Sequence, residues 1–172
     1  MTGPLTVGID ARELQGRPTG TGRYLRNLLR QWTAHGEDRF IAYVNGPAPP
    51  DAVLHHERLR VRTVGDGRGS GLVWQQRHLP PAVRADAPDV FFSPAYSCPL
   101  GLDVPRVTAI HDLSFFSHPA DFALVEALRR RITVAASVRA SAAILACSAF
   151  SAREIAARFP DAAPRVDRKS VV

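Results

Sequence analysis

Apolar positions change their period several times along the chain, and each change marks an element. In "LTVGID" (Leu5 to Asp10) β-branched and apolar residues crowd together as in a short buried strand. A polar loop follows. Tyr24, Leu25, Leu28, Leu29 and Trp32 then recur at helical spacing, which predicts a helix from about Gly22 to Thr33. "RFIAYVN" reads as a second strand. "RLRVRTV" alternates Leu59, Val61 and Thr63 with Arg58, Arg60 and Arg62, as an edge strand does. Gly65 to Gly71 forms a flexible glycine-rich loop, and "LVWQQRHLPPAVRADA" predicts a helix broken at Pro80-Pro81 that stops before Pro88. Strands at "DVFFSP" and "VPRVTAIHD" come next. A long helix from about Asp121 to Ser141 then leads to the strand "AAILACS" and the helix "AREIAARF", capped by Ser148 or Ser151. Alternating strands and helices predict an α/β, Rossmann-like three-layer domain, its mostly parallel sheet covered on both sides.

In sheets of this kind ligands sit outside the carboxyl ends of the strands. The loops expected there run from Asp10 to Arg23, Ser93 to Gly101 and His111 to Asp121. At 172 residues the chain is the size of one domain with a real core. No basic segment followed by an apolar one opens the sequence, and no stretch is long enough to span a bilayer, so the expected location is the cytoplasm. The formal charge of +6 comes from arginines spread along the chain without an aromatic-rich basic segment. That favours a solvated surface with some attraction to phosphates or anionic lipid over nucleic-acid binding. Arg129-Arg130-Arg131 reads as an exposed helix face or as a patch for lipid headgroups, a peripheral contact at the inner face of the membrane. Cys98 and Cys147 are far apart with no CxxC company and read as buried reduced thiols, and the six histidines are scattered; no metal is expected.

Candidate chemistry gathers at the predicted loops. Gly20 and Gly22, in "GRPTGTGRY", precede a helix whose N-terminal amides suit an anion such as a nucleotide phosphate, although a plain tight turn explains them as well. The motif is neither GxGxxG nor a P-loop. In "AIHDLSFF" a strand ends in His111, whose ring can donate to a sugar hydroxyl or phosphate, beside Asp112, which can orient it or accept hydroxyls. "SPAYSCPLGL" either lines an acceptor pocket, with Tyr96, or merely crosses the sheet edge. No GxSxG elbow is present for a serine nucleophile.

The terminal "DRKSVV" contains the only lysine, Lys169, in a chain that otherwise uses arginine. One back-translation of Asp167 to Val172 matches the start of a common sequencing adapter. The expectation is a natural domain over residues 1–166, a non-native tail over 167–172, and a reading frame cut short.

Taken together, "GIDARELQGRPTGTGRYLRNLL", "DVFFSPAYSCPLGLDVPRVTAIHDLSFF" and "ILACSAFSAREI" resemble the N-terminal domain of the group 1 (GT4-type) retaining glycosyltransferases, from about Val7 to Phe159. The resemblance implies the N-terminal, acceptor-side half of a GT-B architecture. It implies transfer of a sugar from a nucleotide sugar to a glycan or lipid-linked acceptor, without a cofactor or metal. Gly20, Thr21, Gly22 and Arg23 match the family's loop on the donor's phosphate and sugar side, and His111 matches the histidine that faces the donor sugar. Asp112 and Ser148 match positions that line the family's cleft, and Tyr96 is the further candidate for contact with the substrate. The family's second domain, which grips the donor, has no counterpart in these residues, so the chain alone is expected to be inactive. The alternative is a stand-alone module that binds a nucleotide or glycan without catalysis.

Overall fold

The computed structural model describes residues 3–117 and 123–167. Seven strands form one sheet in the order β3-β2-β1-β4-β5-β6-β7: β1 (Thr6–Asp10), β2 (Arg39–Asn45), β3 (Leu59–Val64), β4 (Val90–Ser93), β5 (Arg106–Ile110), β6 (Ala143–Ala146) and β7 (Val166–Asp167). Every pairing is parallel, not merely most of them. As expected, β3 is an edge strand. The two-residue β7, which no sequence pattern announces, closes the other edge by pairing Val166 and Asp167 with Ile144 and Leu145. The strand order reverses at β1 and β4, the switch point beside which ligands bind in open α/β sheets.

The helices confirm the periodicity and correct its boundaries. Helix α1 spans Gly20–Ala34, two residues earlier than its apolar stripe suggests, because Thr19 caps it: its side chain accepts from the Gly22 amide. The predicted break at Pro80-Pro81 does not occur. Helix α2 (Gly71–Val73) passes through a π-helical stretch (Trp74–His78) into α3 (Leu79–Asp86), whose first turn holds the prolines. The wider turn, closed by the Leu79 amide on the Trp74 carbonyl, lies directly before the prolines and takes up the clash proline makes with the turn before it. Ala87, in the left-handed region, ends the helix before Pro88 as expected. The 65–71 loop is shaped by Gly65, Gly67 and Gly69 at positive φ. Short α4 (Ser114–Ser117) precedes α5 (Leu124–Ala140) and α6 (Ala149–Arg158). The expected start of the long helix near Asp121 lies outside the described residues, as does the expected 167–172 tail apart from Asp167, which pairs with Leu145 in β7.

Alternation along the strands separates two faces. One buries Ile9, Phe40, Ala42, Val44, Phe92 and Ala109 under Leu25 and Leu29 of α1. The other carries Ile41, Tyr43 and Phe91 beneath Trp74, Leu79 and Val83, and Ile110 and Ile144 beneath Val134, Val138 and Ile155 of α5 and α6. Coverage is therefore uneven. Three layers stand over β1, β2 and β3, while Val107 of β5 and Leu145 of β6 look into an open groove on the α1 side. Asp86 pins α3 to the far edge by accepting from the Tyr43 hydroxyl at 3.0 Å and pairing with Arg60 and Arg62 of β3.

Candidate functional site

The carboxyl ends of β1, β4, β5 and β6 gather most of the residues the sequence singles out. At the start of α1, Gly20, Thr21 and Gly22 are not a free loop but the first helical turn. A Cβ on Gly22 would lie 2.3 Å from the Glu13 carbonyl oxygen, so only glycine lets the helix close onto the turn after β1. At Gly20 the same space is open. With the Gly22 amide capped by the Thr19 side chain and the Arg23 amide on the Thr19 carbonyl, the Gly20 and Thr21 amides remain as the outward-facing donors of a helix N-terminus. Arg23 is exposed on the helix surface.

One turn further, the Tyr24 ring meets His111 edge-on at 5.0 Å between centroids, joining the start of α1 to the end of β5. Burial, with the neighbouring Cys147, pushes the Tyr24 hydroxyl up to about 12, so it stays protonated. Tyr96 approaches the other side of His111 at 5.5 Å, from a backbone held at φ 57°, a conformation rare for a bulky residue. Both ring nitrogens of His111 are engaged: Nε2 lies 2.8 Å from the Pro94 carbonyl oxygen and Nδ1 lies 2.8 Å from Cys147 Sγ. The His111 carbonyl accepts from the Ser151 hydroxyl at 2.8 Å.

The side chains of Asp112 and Ser148 are both engaged within the chain, although Ser148 is exposed. Asp112 accepts from the Ser114 amide and hydroxyl through one oxygen and from the Tyr96 hydroxyl through the other. Burial alone would raise its carboxyl, but the bonds from Ser114 and Tyr96 outweigh it and hold Asp112 below the usual carboxylate range. Ser148, not Ser151, is the N-cap of α6, accepting from the Ser151 amide at 3.0 Å. Cys98 is buried as expected, but Cys147 is exposed, because it follows the last paired residue of β6 and precedes the cap.

A second cluster escaped the sequence reading. Asp10, buried at the end of β1, binds the Arg12 guanidinium at 2.7 and 2.9 Å and accepts from Gln75 at 2.9 Å, and Gln75 also holds Ser97. This network ties the loops after β1 and β4 to the π-helical stretch. Its only sequence signal was an aspartate at a predicted strand end. Between these loops and α5 opens a cleft of about 270 Å³, lined in part by Arg12, Thr21, Tyr96, Ser97 and Arg129. A larger, mainly apolar groove of about 700 Å³ lies on the α1 face of the sheet toward the amino ends of the strands, and His111 is not part of its lining. The smaller cleft is the better candidate for chemistry, because it holds convergent polar groups. Among the described residues no group of three or more His, Cys, Asp or Glu side chains could hold a metal ion, and no helix is long and apolar enough to cross a membrane.

Comparison with known proteins agrees with the fold. The profile of Glycosyltransferase Family 4 matches residues 18–167. No curated protein matches the chain. Among solved structures, that of Anabaena Alr3699/HepE in complex with UDP and glucose is similar, with a TM-score of 0.59 at 17% identity over 97% of this chain. The chain spans only 44% of that protein's length.

Proposed function

The chain belongs to Glycosyltransferase Family 4, and from that premise we propose that it forms the N-terminal, acceptor-side domain of an enzyme that transfers a sugar from a nucleotide sugar to an acceptor hydroxyl with retention at the anomeric carbon. The observation that carries the proposal is the meeting, at one sheet edge, of a helix N-terminus with outward amides and a histidine held in place on both ring nitrogens. The amides of Gly20 and Thr21 suit the donor's diphosphate, with Arg23 beside them. His111 faces the sugar. A carbonyl oxygen can only accept, so the Pro94 carbonyl fixes the proton of the neutral ring on Nε2. The Nδ1 end of the ring, the negative end of its dipole, then lies toward the exposed Cys147, and its field favours the positive charge that builds on the sugar as the diphosphate leaves. UDP and glucose, the ligands named for the Anabaena structure, are the parts of such a donor and support this reading. No metal or cofactor enters the proposed reaction.

The acceptor, a glycan or lipid-linked sugar, enters through the cleft between Thr21, Tyr96, Ser97 and Arg129. Asp112 acts on that wall by holding the Tyr96 hydroxyl, and Ser148 acts by capping α6 beside His111. Because the chain spans less than half of its structural relative, transfer is proposed for a longer enzyme, and these 172 residues alone are proposed to be inactive. The proposed setting is the cytoplasm, with peripheral contact at the membrane's inner face through α5. That helix exposes Leu124, Val125, Leu128 and Ile132, the first two more than three-quarters accessible, beside Arg129. Co-sedimentation with anionic but not neutral vesicles is expected, and equal recovery with both argues against the contact. For the reaction itself, His111→Ala in the longer enzyme is expected to lower turnover at least about 100-fold. Unchanged turnover removes His111 from the chemistry.

A further inference from the structure

The two partners of His111 differ in kind. Pro94 is buried and offers a backbone oxygen, so the Nε2 bond belongs to the strand end itself. Cys147 is exposed, and its sulfur lies 2.8 Å from Nδ1 and 3.9 Å from the Ile110 carbonyl oxygen, so the imidazole is the closer acceptor. Desolvation by the surrounding strand ends, and then the charge of Asp112, push the Cys147 thiol above its ordinary value. The sulfur therefore keeps its proton at neutral pH and is a donor. The other groups facing the imidazole are the ring edges of Tyr24 and Tyr96 and the Asp112 carboxylate, which is already bonded to Tyr96 and Ser114. None of these supplies a hydrogen bond to Nδ1.

We propose that Cys147 is a positioning residue for His111: its thiol donates to Nδ1 and, with the Pro94 carbonyl on Nε2, fixes both the tautomer and the plane of the ring. Parallel pairing makes the contact possible, because Ile110 lies opposite Ala146 and the next residue of each strand is His111 and Cys147. The structural part of the proposal stands on these contacts alone. Its consequence for turnover rests on the sugar-transfer reading.

The first test is long-range proton–nitrogen NMR of His111 in the ¹⁵N-labelled 172-residue chain at neutral pH. The native chain is expected to show a protonated Nε2 and a bare Nδ1 whose resonance lies upfield of a free lone pair because it accepts a hydrogen bond. Cys147→Ala moves that resonance downfield, and Cys147→Ser, which keeps a donor, holds it near the native position. A protonated Nδ1 in the native chain, or no movement in Cys147→Ala, overturns the proposal. In the longer enzyme Cys147→Ala is expected to lower kcat about five- to tenfold, the effect of one hydrogen bond, with KM little changed and activity restored by Cys147→Ser. An unaltered kcat in an otherwise active enzyme overturns the positioning role. Absence of transfer in the native longer enzyme, with the Nδ1 shift intact, overturns the functional reading instead.

Discussion

At the carboxyl ends of the strands Asp10, His111 and Asp112 are each held by two or more partners, whereas at the amino ends Leu5, Val7, Val90, Val107 and Leu145 surround an open apolar groove. The same strands build both. Their inward positions are mostly apolar, with Asp10, Ser93 and Thr108 as buried polar exceptions, and the polar groups gather toward the strand ends and the loops after them, while the groove is sheet face left open beside α1. Volume alone points to the wrong end. The groove is the larger space, yet it offers few groups able to orient a ligand, and the smaller cleft offers many.

The widest separation between the two ends should come from paired substitutions. Asp10→Ala removes the buried partner of Arg12 and Gln75 and is expected to cost about 3 kcal/mol in urea unfolding. Leu5→Gln, at the rim of the groove, should cost less than about 0.5 kcal/mol. Similar costs at both ends would mean that the polar network does not hold the loops.

A smaller effect should follow acidification. For Asp86, burial is outweighed by the bonds from Arg60 and Tyr43 and the charge of Arg62, and its carboxyl, like that of Asp112, sits below its ordinary value in the folded chain. A carboxyl depressed by folding contributes stability that is complete above its unfolded pKa and is lost as pH falls through the folded one. The urea midpoint should thus be flat near neutrality and drop below the ordinary carboxylate range. Asp86→Asn should start lower and drop less steeply; an identical slope would remove Asp86 from the effect.

Much of this was legible in the residues. Strands of four to seven residues with β-branched cores and a helix with a clean apolar stripe identify themselves by period, and His111 stood out because it ended such a strand. What was not legible depends on register or on local backbone adjustment. The contact of His111 with Cys147 joins residues 36 apart through strand pairing, so no local pattern announces it. The early start of α1 depends on Thr19 as a cap. The prolines at 80 and 81 looked like a break because period analysis does not anticipate a π turn. The exposure of Cys147 followed from one residue of strand length, a margin that composition cannot resolve.

The pairing of Ile110 with Ala146 has a consequence for the gene as well as the fold. Removing one codon within β6 would slide Cys147 away from His111 and, in the same step, exchange Ile144 and Leu145 between the two faces of the sheet. A lineage that lost the strand-end contact this way would lose part of its interior with it. Insertions and deletions are therefore tolerable in the exposed turn around residues 66–70, whereas the stretches leading to His111 and Cys147 must be inherited at fixed length.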